Sequence, residues 1–459
     1  MSKFLYGASV QGIQEFIFKT NKLQEIVGAS EIIKNIAEFF ENNFVSDTDK
    51  ILLNAAGNIK VIFDTEKECQ KTVLEFPKMV MQYAYGITIS QAVVSIENGY
   101  AKDDINKLEK RLKIQRNKPS IPLDSSMNIM KLNPKTAKPL VNKSEDRASK
   151  QKLQANENFY KKNPNITEFK DFSYMSNIKN KLAIIHIDGN GLGKLIPELG
   201  DKLSIFSKSL DDATRSAVKD AKEDYMHIRD IIIGGDDVTM ICDADDALEF
   251  TKNFLKNFEQ YTSNIEELNG ITDKLTACAG IAFCNEKYPF HYAVNLAETL
   301  CSVAKNHSKR ESSCLMFHNI QSSNYQTWSK FVEDELTIRN DKDEIRCDFG
   351  PYYLDRDDQP NISDFLNSVG AYACDDSPIS RLRNWLSELG KSSQYSNALL
   401  ERINEMAKQN SGWDSCIMDK NLKEFDKELS SEKLIIKKDT KWRTPIYDIL
   451  QILSVTEAK

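Results

Sequence analysis

One order of elements, strand–helix–strand–strand–helix–strand, can be read twice along this chain, and that repeat restricts the fold more than any other feature. In the first hundred residues Phe4–Val10 is a short apolar strand. Gln11–Phe44 follows with apolar residues at helical spacing, among them Ile13, Phe16, Ile17, Leu23, Ile26, Ile32 and Ile36. Ile51–Ala55 and Lys60–Phe63 flank the turn Ala56-Gly57-Asn58, a hairpin signal. A helix over Glu66–Tyr83 and the alternating strand Ile87–Ile96 complete the unit. The order returns with the strand Leu182–Asp188 and the helix Lys202–Asp224. Ile228–Ile233 and Val238–Cys242 form a hairpin, Asp245–Tyr261 a helix and Leu275–Phe283 a strand. Tyr292–Lys305 is a helix and Cys314–Phe317 a last strand. Two βαββαβ units imply an α+β fold of two ferredoxin-like antiparallel sheets, each with helices packed on one face.

A chain of 459 residues exceeds one ordinary core. The expected division is a first unit over residues 1–115, a polar connector over 116–180, the second unit over 181–320 and a C-terminal domain over 321–459. The connector carries prolines at 119, 122, 134, 139 and 164, and basic residues outnumber acidic ones from Lys131 to Lys170. It reads as a solvated, flexible connector, with a strip that touches RNA or a partner as the alternative. The C-terminal domain reads as helical, its best helices being Ser380–Leu389, Tyr395–Met406 and Ile446–Leu453.

The net charge of −7 argues against a surface built mainly as a nucleic-acid groove. No run of about eighteen apolar residues occurs, so no membrane span is expected. The N-terminus lacks the pattern of a signal peptide. Nine cysteines stand singly with no Cys-x-x-Cys pair, as free thiols do in a reducing compartment, so the chain reads as cytoplasmic.

Chemistry gathers in the second unit. The apolar strand Ala183–Ile187 ends in Asp188, followed by Gly189-Asn190-Gly191-Leu192-Gly193-Lys194, and Ile231–Ile233 runs into Gly234-Gly235-Asp236-Asp237. In a βαββαβ sheet the first strand lies beside the hairpin, so Asp188 and Asp236 would meet at its edge. Phosphoryl transfer by two divalent ions, Mg²⁺ or Mn²⁺, needs such carboxylates to hold the ions about 4 Å apart. The glycines Gly234 and Gly235 would let a triphosphate approach the backbone, and the loop through Asn190 and Gly191 leads toward a helix whose free amides receive phosphate. Each motif alone has an ordinary reading, as a hairpin turn or a common loop. The loop after Asp188 fails as an EF-hand, because Leu192 and Leu199 stand at ligand positions. It fails as a P-loop too, because Leu195 follows the lysine. The conjunction on the right strands of one unit carries the signal. The first unit has Ala55-Ala56-Gly57-Asn58 at its turn and Ser9 on its first strand, so it cannot hold the metals.

These motifs resemble the polymerase–cyclase large subunit of type III CRISPR effector complexes, itself similar to diguanylate and adenylate cyclases. The resemblance rests on Val10–Ile17 with Glu25-Ile26-Val27-Gly28-Ala29-Ser30 for a first palm domain. For the second palm it rests on His186–Gly191, Gly234–Asp237, the strand Thr276–Ala282 and the helix ending Ala304-Lys305. Weaker likenesses follow at Gly350–Leu354 and Thr444–Leu450. It implies Asp236 and Asp237 as metal ligands and catalytic carboxylates, Asp188 as the third acidic group, and Lys305 on the triphosphate of ATP. Ser30, with Gly28, would line the nucleotide pocket of the first palm. The ordinary alternatives are a solvated helix-end residue for Lys305 and a helix-interior serine for Ser30.

The implied activity condenses ATP into a cyclic or linear oligonucleotide messenger with loss of pyrophosphate, in antiviral signalling. A second reading is an ATP-binding scaffold subunit of an RNA-guided complex. A third is a diguanylate cyclase, ranked last because Asp237-Val238 stand where Glu-Phe is usual. RNA and CRISPR-type effector subunits are the candidate partners, and a homo-oligomer stays open. None of the five histidines is followed by Asp, and residues 101–180 contain no cysteine. The family's HD nuclease domain and interpalm zinc knuckle are therefore expected to be absent.

Overall fold

A computed structural model describes residues 3–47, 50–55, 57–97, 102–118, 127, 129–166, 169–199, 202–223, 226–321, 327–339, 344–374, 377–409, 415–438 and 441–457. The first unit starts with strand β1 (Lys3–Gln11), whose left-handed Gly12, at φ 68°, turns the chain into helix α1 (Ile13–Phe18). Helix α2 (Leu23–Phe44) follows, so the stretch read as one helix from Gln11 is a strand end and two helices. Strands β2 (Ile51–Ala55) and β3 (Asn58–Phe63) form the hairpin, whose Ala56 lies outside the described residues. Helix α3 (Glu66–Tyr83) and strand β4 (Thr88–Ile96) complete a sheet of order β2-β3-β1-β4, the ferredoxin-like arrangement.

The expectation of helices on one face only does not hold. Helix α4 (Lys102–Arg116) covers the second face of this sheet, setting Leu108 and Leu112 against Leu5, Leu52, Val94 and Ile96. Nor is all of the next segment a solvated connector. Helix α5 (Arg147–Lys162) starts at Asp146, which accepts a hydrogen bond from the Ser149 backbone N–H at 2.9 Å, and it packs along α2. It buries polar side chains, Ser149, Lys152 and Asn156, where a hydropathy pattern has nothing to register.

The second unit begins with β5 (Lys181–Gly189), α6 (Leu192–Leu199) and α7 (Leu203–Ala221). The hairpin β6 (Ile228–Gly234) and β7 (Asp237–Asp243) leads to α8 (Ala247–Thr262), β8 (Ala277–Asn285), α9 (Phe290–His307) and β9 (Cys314–Asn319). The run Leu182–Ile187, apolar but for His186, puts buried side chains on both faces of the sheet, so both must be covered. Ala183, Ile185 and Ile187 join the core of α7 and α8, whereas Leu182 and Ile184 join the core shared by α9 and the first unit. Gly280 lets α9 lie directly on β8, since a Cβ there would stand 2.0 Å from the Ala297 carbonyl oxygen.

The C-terminal region is not purely helical. After α10 (Trp328–Asp334), the strands β10 (Thr337–Arg339) and β11 (Glu344–Arg346) enter a small separate sheet. Strand β12 (Tyr352–Tyr353) extends the second unit's sheet to the order β12-β9-β8-β5-β7-β6. Helices α11 (Ile362–Tyr372), α12 (Ile379–Glu388), α13 (Ser393–Gln409) and α14 (Ser415–Phe425) precede β13 (Ile436–Lys438) and β14 (Lys441–Arg443). Those last two strands complete the small sheet, and α15 (Ile446–Val455) follows. Three-residue strands carry no readable period, which is why the sequence shows only the helices. Among the described residues no helix is long and apolar enough to cross a membrane.

Candidate active site

Strands β5 and β7 pair antiparallel with Asp188 opposite Asp237, and β5 pairs β8 with Asp188 opposite Cys278. This register brings the end of the first strand and the acidic turn to one sheet edge. Asp236 packs over Gly189, where a Cβ would meet the Asp236 Cβ at 2.7 Å, so only glycine leaves that carboxylate its place. Burial, then the Asp188 charge, pushes Asp236 up from the ordinary carboxylate range. The same two causes, opposed by Lys305, raise Asp237 to about 7. Asp237 Oδ1 is covered and has no hydrogen-bond partner. His186 stands nearby, its Nδ1 3.6 Å from Asp237 Oδ1 and 3.2 Å from Thr239 Oγ1, and burial lowers its pKa. Two crowded carboxylates and an unpaired, covered oxygen make a site whose chemistry lacks positive charge.

Lys305 supplies one cation. Its Nζ lies 2.5 Å from Asp188 Oδ2 and donates to the Gly189 carbonyl at 2.7 Å, with 12% of its side chain exposed. It is not a solvated helix-end residue. Among the described residues no three acidic, histidine or cysteine side chains converge on one point, Asp188 being held by Lys305. Gly191 and Gly235, at φ 78° and 65°, both face open space, which leaves their backbone open to a ligand. Asn190 turns away from that space. Its amide donates to Thr276 Oγ1 at 2.9 Å and its backbone N–H to the Thr276 carbonyl at 2.8 Å, anchoring the loop to β8.

The first unit closes the other side. A cleft of about 800 Å³ lies between the units, lined by Ile33, Lys34 and Asn54 from the first and by Asp211, Ile231, Gly234 and Asp237 from the second. Ser30 is a helix-interior serine at the rim of this cleft, only 2% exposed, and its hydroxyl donates to the Ile231 carbonyl. That carbonyl lies where the β6–β7 register shifts, between Asp230 and Ile232. Ser30 thus fastens the two units together. Gly28 does not reach the cleft. A Cβ on it would stand 1.8 Å from the Lys152 carbonyl oxygen, so its place is the close crossing of α2 with α5. Lys152 itself is buried, donates from Nζ to the Phe16 carbonyl, and is lowered by burial to about 8. Sequence reasoning missed it, and also missed Asp211 and Thr214 on α7, which reach the acidic turn.

A ferredoxin-like sheet with an acidic hairpin turn beside a carboxylate-ended strand is the palm architecture of polymerases and nucleotide cyclases. Residues 181–314 match the family model for the second palm domain of Cas10/Cmr2, so the second unit is a palm domain of that kind. The resemblance to the large subunit of type III CRISPR complexes holds to that extent. Among solved structures, a chain of the Csm1-Csm4 cassette in complex with one ATP superposes with a TM-score of 0.56 at 13% identity, covering 99% of this chain and 70% of that one. The same cassette in complex with cA3 gives 0.56 at 13% identity, with 99% and 69% covered. The Csm1-Csm4 subcomplex of the type III-A CRISPR-Csm interference complex gives 0.55 at 14%, again with 99% and 69% covered. At such identities the likeness is one of fold. No curated protein matches the sequence significantly.

Proposed function

We propose that this chain is a metal-dependent nucleotidyltransferase that condenses ATP into a cyclic or linear oligoadenylate-type messenger, with release of pyrophosphate, in CRISPR-type antiviral defence. The observation that carries the reading is the strand register that brings Asp188, Asp236 and Asp237 to one sheet edge, the last with a covered Oδ1 that makes no hydrogen bond. This donor set is hard, anionic and short of cations, which suits Mg²⁺ or Mn²⁺. Asp188, Asp236 and Asp237 would hold the ions, which when bound supply activation of a ribose hydroxyl and charge for the phosphates.

The chain's own residues do the rest. Lys305 is placed to exchange the Asp188 carboxylate for a triphosphate oxygen, both being anionic acceptors. The open backbone at Gly191 and Gly235 gives phosphates room to approach. A hydroxyl oxygen of the acceptor attacks the α-phosphorus and gives up its proton to water, the bond from that phosphorus to the bridging oxygen breaks, and pyrophosphate leaves. Holding donor and acceptor in line accounts for much of such a rate. The interpalm cleft, with Ser30 and Ile33 on its first-palm side, has room for the acceptor. Solved Csm1-Csm4 cassettes in complex with ATP and cA3 support both substrate and product class, and their assembly supports CRISPR effector subunits as partners.

The test incubates the protein with ATP and Mg²⁺ or Mn²⁺, with and without RNA, and identifies products by mass. Pyrophosphate and oligoadenylates should form and should vanish in Asp236→Ala/Asp237→Ala. Equal turnover by that double variant would overturn the assignment.

A further inference from the structure

Helix α7 holds the acidic turn by its backbone. The Thr214 hydroxyl donates to the Gly235 carbonyl at 2.6 Å, and the Gly235 N–H donates to Asp211 Oδ1 at 3.3 Å. Both backbone polar groups of one glycine are therefore taken by side chains one turn apart on a single helix. Arg215 braces Asp211 in turn, its Nε 2.7 Å from Oδ2 and its second nitrogen 3.4 Å from Oδ1.

The Thr214 contact departs from what helical threonines do elsewhere in this molecule. Thr72, Thr251 and Thr299 each return their hydroxyl to the carbonyl four residues back in their own helix, and Thr262 does so while also reaching the Leu275 backbone. That local bond is the ordinary use of such a side chain. Thr214, fully buried, sends its hydroxyl across to the turn. Gly235 has a positive φ and open space before it, so its own surroundings exert no steric hold on its conformation. The two α7 side chains supply the hold.

We propose that Thr214 and Asp211 are positioning residues that fix Gly235, and through it the places of Asp236 and Asp237. Thr214, fully buried, acts through the turn alone, whereas Asp211 also lines the cleft. This rests on the reading of the turn as metal-holding. Residues that orient ligands in this way typically matter by about ten- to a hundred-fold in metal affinity or activity.

The experiment compares Thr214→Val, Thr214→Ser and Asp211→Asn with wild type. Mn²⁺ affinity is read by electron paramagnetic resonance without nucleotide, kcat and KM with ATP, and folding by thermal melts. Thr214→Val is close to isosteric, so it should fold. We expect about ten-fold weaker Mn²⁺ binding and a lower kcat at a nearly unchanged KM for ATP. Thr214→Ser should restore both, and Asp211→Asn should fall between. A Thr214→Val protein with wild-type Mn²⁺ affinity and kcat overturns the proposal, as does one in which serine fails to rescue. Asp236→Ala/Asp237→Ala is the control. If it too keeps wild-type Mn²⁺ affinity, the metal reading has failed; if it loses binding while Thr214→Val does not, only the clamp is wrong.

Discussion

Replacing the acidic pair by the isosteric amides, Asp236→Asn/Asp237→Asn, should make the metal-free protein more stable while removing its proposed activity. Asp237 rises from 3.8 unfolded to about 7 folded, and Asp236 shifts the same way, burial being the leading cause for both. A carboxylate whose folded pKa is raised binds its proton more tightly when folded. Stability therefore falls as pH rises from about 4 to about 7 and stays low above that. A shift of about 3 units corresponds to about 4 kcal/mol for one fully buried group. That is an upper bound here, because 40% of the Asp237 side chain is exposed although its Oδ1 is covered. Solvent screening reduces the pair to about 1–2 kcal/mol. At pH 8 without divalent ions the amide variant should melt about 1–2 °C higher, and its stability should lose most of the decline between pH 4 and 7. Saturating Mg²⁺ should reverse the order, adding about 2.7 kcal/mol to wild type at a hundred times its Kd and nothing to the variant. Scanning fluorimetry across pH, with and without Mg²⁺, gives both readings. An amide variant less stable than wild type at pH 8, or equally stabilised by Mg²⁺, would refute the reasoning.

Three further outcomes follow from single contacts. Lys305→Ala removes the cation beside Asp188 and should weaken binding of a nonhydrolysable ATP analogue about ten-fold, as measured by calorimetry; unchanged affinity would take Lys305 off the triphosphate. Gly28→Ala forces a Cβ into the Lys152 carbonyl and should cost about 1–3 kcal/mol in denaturant unfolding, whereas a neutral effect would mean that α5 is not docked as described. Burial alone would raise Asp230, but Lys222, Lys34 and Arg229 outweigh it and hold its carboxyl well below the ordinary range. Its contribution is complete above the unfolded value of 3.8 and is lost only as pH falls from there through the depressed folded value, so Asp230→Asn should destabilise at pH 7 and still destabilise, by somewhat less, at pH 3.

The sequence showed the two sheets because their strands are buried on both faces or alternate cleanly, and because the turn Gly234–Asp237 interrupts an apolar hairpin. It did not show α5, whose buried face is Ser149, Lys152 and Asn156: these polar residues meet specific partners, and hydropathy reads them as solvent-facing. The same packing explains the misplacement of Gly28. A glycine inside a helix marks either a ligand or a close backbone approach, and only the crossing of α5 decides between them. In the site, Asp188 and Asp236 were legible because strand order alone brings them to one edge. Asp211 and Thr214 were not, since α7 has an amphipathic pattern that accounts for its residues without reference to the turn.

The division of labour between the palms can be argued from what joins them. Ser30 bonds the Ile231 carbonyl, Ser204 donates to the Ile51 carbonyl at 3.0 Å, Lys34 lies 3.6 Å from Asp230, and Gln14 donates to Glu298 at 2.6 Å. The cleft between the units is thereby lined from both, and the wall opposite Gly234 and Asp237 is the first palm, which has no acidic turn of its own. An enzyme that pairs two acidic palms across a homodimer needs that face of each palm free for its partner. Here the face is already covered from within the chain. A palm without carboxylates cannot activate a hydroxyl, but it can supply a wall against which an acceptor is held in line with the donor. Under the proposed activity, this packing leaves one acidic turn per chain to act, and the second nucleotide would be held by the same chain's first palm.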